Sequence, residues 1–171
     1  MIPVSALWVH PAIVERERQA KWDRRFLEQA QTIAQWSKDQ STKVGCVIVG
    51  PNREIRSTGY NGFARGVDDT IQERFDRPFK YVWTVHAEQN ALFHAARVGV
   101  PTEGCTAYVH AGALVGPPCA ECARGLIQSG ISRVVCNGSA APADWREDWR
   151  KSMLVSVEMF NEAGVLFEGV S

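Results

Sequence analysis

The 171-residue sequence lacks any apolar run approaching the roughly 20 residues that a membrane-spanning helix requires. It has no internal repeat, and its first residues lack the basic region that opens a signal peptide. Its 19 basic and 19 acidic side chains leave no net charge, whereas polynucleotide binding relies on a basic excess. We therefore predict no membrane partner, and the balance of charge disfavours a polynucleotide ligand without excluding one.

Cysteine is scarce, and its count is odd. Five cysteines in a chain without an export signal predict reduced thiols and a cytoplasmic location rather than a disulfide framework. Two of them, Cys119 and Cys122, lie three residues apart. Such clustering is typical of metal binding or redox chemistry. The other three are predicted to pack as small apolar side chains: Cys46, Cys105 and Cys136.

What the sequence does contain is an ordinary globular balance, with 45% hydrophobic and 22% charged residues. The length suits one domain, which we predict over 20–171 after an N-terminal extension over 1–19. Apolar spacing and turn residues predict the following elements: helix 20–36, strands 44–49 and 55–60, helix 85–98, strand 106–110, helix 119–129, strand 133–136, helix 148–163 and strand 165–167.

Strands that alternate with helices favour right-handed crossovers and a mostly parallel sheet covered on both faces. The first two strands are joined by a short turn and should pair as a hairpin. We therefore predict an α/β fold of three layers, α/β/α, with a mixed five-stranded sheet whose first hairpin is antiparallel. The stretch 61–84 shows no clear period and is predicted to be a long functional loop.

Two short motifs carry the chemistry, HAE at 86–88 and PCAEC at 118–122. Each opens a predicted helix. Cys119 and Cys122 share one helix face, so both sulfur atoms can reach a single ion. His86 can supply a nitrogen from the other helix. Three protein ligands with one open position are typical of a catalytic zinc, so zinc is the predicted cofactor.

Glu88 lies two residues after His86, roughly 200° around the helix. It is therefore placed beside the ion rather than in line as a fourth ligand, and we predict that it moves protons. A C-x-x-C pair alone is also typical of a redox dithiol or of half a structural zinc site. H-x-E combined with P-C-x-x-C, however, is the general pattern of zinc deaminases, which release ammonia from an aminated heterocycle.

Further stretches extend this pattern along most of the chain: SKDQSTKVG at 37–45, STGYNGF at 57–63, KY at 80–81, HAEQNAL at 86–92, CAECAR at 119–124, LIQSGI at 126–131 and NEAGV at 161–165. With them, the chain resembles the cytidine and deoxycytidylate deaminase superfamily. The Gly-Tyr-Asn-Gly stretch makes it most similar to the deoxycytidylate (dCMP) deaminases.

This resemblance implies a cytidine deaminase-like fold and the conversion of dCMP to dUMP. It also implies that Asn61 contacts the substrate sugar and that the backbone N–H of Ala87 contacts the pyrimidine carbonyl. Members of the family are homo-oligomers, dimers or hexamers, and some respond to dCTP and dTTP.

The chain departs from the family pattern at two places. Trp36 replaces an arginine before the first-helix serine, and the 110–117 loop before the zinc cysteines is several residues longer. This loop should border the pocket, where His110 would reach a substrate group. Other substrates therefore stay open: a nucleoside, a modified cytosine nucleotide, a free purine or pterin-type base, or an RNA adenosine. A catalytically silent zinc scaffold that binds a partner is the alternative of a different class.

A phosphate on the substrate would need cationic partners. The sequence offers five candidates that spacing alone does not separate: Lys43, Arg65, Arg74, Arg77 and Lys80.

Overall fold

A computed structural model describes residues 10–112, 116–138 and 146–170. Its elements, in chain order, are α1 (Pro11–Ala34), β1 (Gly45–Val49), β2 (Ile55–Tyr60), β3 (Gly62–Phe63), a 3-10 turn (Gln72–Phe75), α2 (Lys80–Trp83), β4 (Thr84–Val85), α3 (Ala87–Val98), β5 (Thr106–His110), α4 (Ala120–Gln128), β6 (Arg133–Asn137), α5 (Glu147–Glu162) and β7 (Leu166–Val170). No helix in these ranges is both long and apolar enough to cross a membrane.

Five of the strands form one sheet in the order β2-β1-β5-β6-β7. β1 pairs antiparallel with both neighbours, placing Gly45 opposite Tyr60 of β2 and His110 of β5. The β5–β6 and β6–β7 pairs are parallel. Four strands therefore run in one direction and β1 runs against them, which confirms the predicted mixed sheet with an antiparallel first hairpin.

Helices cover both faces of the sheet, and the middle residues of its inner strands β1, β5 and β6 are buried. All five residues of β1 are buried. Cys46 and Ile48 join the core formed with α3, α4 and α5, while Val47 and Val49 join the core formed with α1. This alternation follows from the two-residue period of a strand. The predicted α/β/α layering is confirmed.

α1 begins at Pro11, well before the predicted start at residue 20. The His10 side chain accepts a hydrogen bond from the Ala12 N–H, which caps the helix, and proline suits a first helical position. The early turns are exposed and carry no apolar stripe, so periodicity does not detect them. Residues 1–9 of the predicted extension lie outside the described residues, and the division at residue 20 stays a prediction.

α3 packs directly onto β2 through a glycine. A Cβ atom at Gly59 would lie 2.3 Å from the backbone nitrogen of Ala91 and 2.4 Å from the carbonyl oxygen of Ala87. Only a residue without a side chain permits this approach. The contact fixes the start of α3 against the sheet.

The 61–84 segment is not an irregular loop. β3 and β4 pair antiparallel, with Gly62 opposite Val85. Phe63 packs against Phe75 of the 3-10 turn, with ring centroids 4.5 Å apart, and the Arg74 guanidinium lies 4.1 Å from the Trp83 ring centroid. These contacts join residues distant in sequence, so local periodicity does not predict the short elements.

Candidate metal centre and active-site cavity

The predicted metal ligands lie at the starts of two helices. His86 is the N-cap residue of α3 and directly follows β4. Cys119 is the N-cap residue of α4, and Cys122 lies in its first turn. The two helices pack against each other, so their starts meet at one point.

The three donor atoms are close enough to share one ion. The His86 Nδ1 atom lies 3.5 Å from the Cys119 Sγ atom and 3.3 Å from the Cys122 Sγ atom. All three atoms lie within 4.8 Å of one another. Usual zinc–sulfur and zinc–nitrogen bond lengths in a tetrahedral site separate the two donor types by about 3.6 Å. The donor set therefore fits zinc in both chemistry and spacing.

The three ligand side chains also share protons among themselves. A hydrogen bond from the Cys122 thiol, together with the nearby His86 ring, lowers the pKa of Cys119 to about 4 despite burial. The contact with Cys119 raises the pKa of His86 to about 9. Donation to Cys119 and burial raise the pKa of Cys122. One thiolate is thus present at neutral pH, and metal binding releases the remaining protons.

Glu88 lies beside the donor group and is not a member of it. It is the second residue of α3 and is only 5% exposed. Burial raises the pKa of its carboxyl group. A carboxyl group with a raised pKa exchanges protons more readily near neutral pH than an exposed glutamate does.

One cavity of about 360 Å³ connects these groups. His86, Glu88 and Cys119 line it, together with Asn61 and Ala87. The volume falls within the range of small-molecule sites. The cavity therefore brings the predicted proton carrier, two of the three predicted metal ligands and two of the predicted substrate contacts to one place.

Comparison with known proteins decides the family. The family model described as the cytidine and deoxycytidylate deaminase zinc-binding region matches residues 20–137. The chain belongs to this deaminase family. The family resemblance, the zinc cofactor and the enzyme class predicted from the sequence are thereby confirmed, and the chain is a zinc-dependent deaminase.

Two relatives and one solved structure are similar to this deaminase over most of its length. It is 41% identical over 146 residues to "Uncharacterized deaminase in luxG 3'region" of Aliivibrio fischeri, covering 85% of this chain and 91% of that protein. It is 34% identical over 160 residues to human deoxycytidylate deaminase, covering 90% and 82%. The crystal structure of the cyanophage S-TIM5 dCMP deaminase with dCMP and dUMP matches with a TM-score of 0.64 and 23% identity, over 95% of this chain and 100% of that one. This last likeness confirms the cytidine deaminase-like fold.

Asn61 is buried and holds the segment that leads into β1. Its Oδ1 atom accepts from the Val44 N–H at 2.8 Å, and its Nδ2 atom donates to the Thr42 carbonyl at 2.8 Å. Ala87 is the first residue of α3, so its N–H has no acceptor within the helix. Both line the cavity, and their contacts with substrate stay predictions.

The structure does not bring His110 to this cavity. Successive residues of a strand face opposite sides, and Val109 is the β5 residue that lines the cavity. His110 instead lines a second depression of about 240 Å³, and its Nδ1 atom accepts from the Gly112 N–H at 3.2 Å. Of the predicted 110–117 loop, Ala111, Gly116 and Pro117 line the cavity, and residues 113–115 lie outside the described residues.

Three cavity residues that the sequence pattern did not reveal come from α5 and the residue before it: Arg146, Trp149 and Met153. The Trp149 ring is nearly parallel to the His86 ring, at 12° and with centroids 6.2 Å apart. The spacing of three and four residues places the three side chains on one helix face. This spacing was the available signal, but it did not reveal which neighbour the face meets.

The cavity wall also contains a buried ion pair that the sequence pattern did not reveal. The Lys80 Nζ atom lies 2.6 Å from the Asp39 carboxylate, and both side chains are almost fully buried. The same ammonium donates to the Ser41 hydroxyl at 2.7 Å. Asp39 therefore neutralises Lys80 inside the protein.

Proposed function

We propose that this deaminase acts on a pyrimidine nucleotide, converting dCMP to dUMP with release of ammonia. The observation that carries the reaction type is the convergence of three metal-ligating atoms within 4.8 Å beside the buried Glu88 in one cavity. The relatives named deoxycytidylate deaminase and the cationic side chains of Arg77 and Arg146 in the cavity support dCMP as the substrate.

His86, Cys119 and Cys122 are the proposed zinc ligands. Bound zinc supplies a Lewis acid that lowers the pKa of a water molecule to about 7. The raised pKa of Glu88 suits it to take one proton from the attacking water and deliver it to the ring nitrogen next to the reacting carbon. A second proton transfer accompanies departure of the amine, so that water and the aminated ring become the carbonyl product and ammonia.

Ala87 and Asn61 are proposed to hold the substrate for this step. The Ala87 N–H is a donor at a helix start and can bond the pyrimidine carbonyl. Asn61 keeps a second N–H after its bond to Thr42 and can donate it to a sugar hydroxyl.

Arg77 and Arg146 are the proposed partners of the phosphate. Both line the cavity with exposed side chains, and guanidinium groups bind phosphate in bidentate fashion. The Arg146 guanidinium also bonds the Asp148 carboxylate, for which a phosphate would substitute. Lys43 lies in the other depression and donates to the Ser37 carbonyl at 2.7 Å. The homo-oligomer, a dimer or a hexamer, and the cytoplasmic location stay predictions from the sequence.

A substrate screen that measures ammonia release tests this function. We expect product from dCMP and far less from deoxycytidine, cytosine, purine bases or a short RNA. Arg77→Ala and Arg146→Ala should each raise KM for dCMP about tenfold or more, because each removes a charge-assisted hydrogen bond.

Arg150→Ala, an exposed arginine on α5 that is not among the cavity residues, serves as the matched control and should leave KM unchanged. Turnover of a free base or nucleoside in preference to dCMP would contradict the proposed substrate. An equal rise in KM for dCMP in all three arginine variants would contradict the phosphate assignment.

A further inference from the structure

α5 borders the proposed metal centre although it lies outside the matched family region of 20–137. Trp149 stacks beside the ligand His86, and Met153 lines the cavity. Ser152 lies between them on the same helix. One face of α5 therefore meets the starts of both ligand-bearing helices.

Ser152 contacts α4 at its first residue. The Ser152 Oγ atom accepts a hydrogen bond from the Ala120 N–H at 2.9 Å. Ala120 lies between the two cysteine ligands, one residue after Cys119 and two before Cys122.

A helix start needs such an acceptor from outside. The first N–H groups of a helix have no acceptor within it, and an N-cap side chain usually supplies one. The N-cap residue of α4 is Cys119, whose side chain makes no capping hydrogen bond. Its sulfur atom instead faces His86. Ser152 supplies, from α5, an acceptor for the first of these N–H groups, directly beside Cys119.

We propose that Ser152 is a positioning residue of the zinc site, which holds the first turn of α4 so that both sulfur atoms stay at bonding distance from one ion. The inference rests on the proposed ligands His86, Cys119 and Cys122. Groups that orient metal ligands typically contribute about 10- to 100-fold to metal affinity.

Zinc affinity of the full chain tests the proposal without reference to substrate. Metal is removed with a chelator, and zinc binding is measured by competition with a chromophoric chelator. Ser152→Ala should weaken zinc binding about tenfold or more. Ser152→Thr keeps the hydroxyl group and should retain wild-type affinity.

Ser129→Ala is the matched control. The Ser129 hydroxyl donates to the Leu126 carbonyl at 2.9 Å at the opposite end of α4, so its loss disturbs the same helix away from the ligands. We expect unchanged zinc affinity in this variant. Equal weakening in Ser129→Ala and Ser152→Ala, or wild-type affinity in Ser152→Ala, would overturn the proposal.

Cys119→Ala separates this proposal from the ligand assignment. Loss of zinc in Cys119→Ala with full retention in Ser152→Ala refutes the positioning role alone. Full zinc affinity in Cys119→Ala refutes the ligands themselves, and the role of Ser152 with them.

Discussion

The two faces of the sheet each bury a cluster of titratable side chains, and the clusters differ in how they are paired. On the α1 face, Asp23 accepts two hydrogen bonds from Arg133 at 2.8 Å each, one from the Tyr108 hydroxyl at 2.8 Å and one from Gln19 at 2.9 Å. The charge of Asp23 is thus matched within the protein, and it is not among the residues that line the cavity.

On the opposite face, the donor atoms of His86, Cys119 and Cys122 point toward one another. A cavity reaches His86, Cys119 and the adjacent Glu88. Burial is similar in the two clusters, so burial does not separate a structural cluster from a functional one. A buried charge whose hydrogen bonds are all made within the protein indicates a structural role. Donor atoms that converge beside a cavity indicate a catalytic or metal-binding role.

The largest effect is expected from Glu88→Gln. This substitution removes the carboxyl group that is proposed to carry protons and preserves the shape of the side chain. We expect a loss of about three powers of ten in kcat, because general acid–base catalysis commonly contributes that much. Zinc content, measured by elemental analysis, should not change.

Glu121→Gln is the matched control, because Glu121 is likewise the second residue of its helix but is exposed. Its carboxylate accepts from the Gln89 side chain at 3.0 Å and does not line the cavity, so kcat should be unchanged. Normal turnover in Glu88→Gln would refute the proposed proton transfer.

Asp23→Asn breaks the other cluster and should affect stability rather than chemistry. Removing one partner of a buried ion pair typically costs about 3 kcal/mol in the free energy of unfolding. We expect that loss in urea unfolding at pH 7, with kcat and zinc content of the folded protein unchanged. Glu28→Gln, at an exposed position of α1, should leave the free energy of unfolding unaltered.

The effect of Asp23→Asn should depend on pH with a definite sign. Burial alone would raise the pKa of Asp23, but hydrogen bonds from Arg133, Gln19 and Tyr108 outweigh it and hold the pKa below its ordinary value of 3.8. A carboxyl group with a lowered pKa stabilises the fold above its unfolded pKa, and this stabilisation is lost as pH falls through the folded value. The difference between wild type and Asp23→Asn should therefore shrink below about pH 4. A difference that grows in acid would contradict the pairing.

The smallest effect is expected from Ser156→Ala, one turn after Ser152 on α5. Among the described residues, the Ser156 hydroxyl is the one fully buried side-chain polar atom without a hydrogen-bond partner. Burying a hydroxyl group without a hydrogen-bond partner destabilises the folded state, and the substitution removes that hydroxyl group. The free energy of unfolding should therefore stay equal or rise by less than about 1 kcal/mol. A clear loss of stability would show that this hydroxyl group has a partner.

The sequence was sufficient for the parts of the fold and the site that depend on local pattern. Apolar β-branched runs predicted the hairpin and the central strands, and two short motifs predicted the donors that the structure brings together. These features are encoded within a few residues, because a helix start and its ligands lie in the same turn.

What the sequence could not predict depends on contacts between distant residues. His110 was expected at the cavity because its loop leads to Cys119, but the alternation of β5 turns it to the other side. Trp149 and Lys80 reach the cavity only through the packing of α5 against α4 and through the ion pair with Asp39. The spacing on α5 marks a helix face but does not identify the neighbour that it meets, and the ion pair leaves no periodic signal.

Gly59 contributes no functional group, yet it decides where the reaction takes place. Because the backbone of α3 rests on β2 at this residue, the sheet holds the start of the helix and, with it, His86 and Glu88. Within the 64–79 segment Arg77 lines the cavity, so substitutions in that segment should change substrate binding and leave His86 and Glu88 in place. The enzyme combines a reaction centre that the sheet holds with a neighbouring segment that can be varied. Re-engineering of its substrate range should begin at that segment.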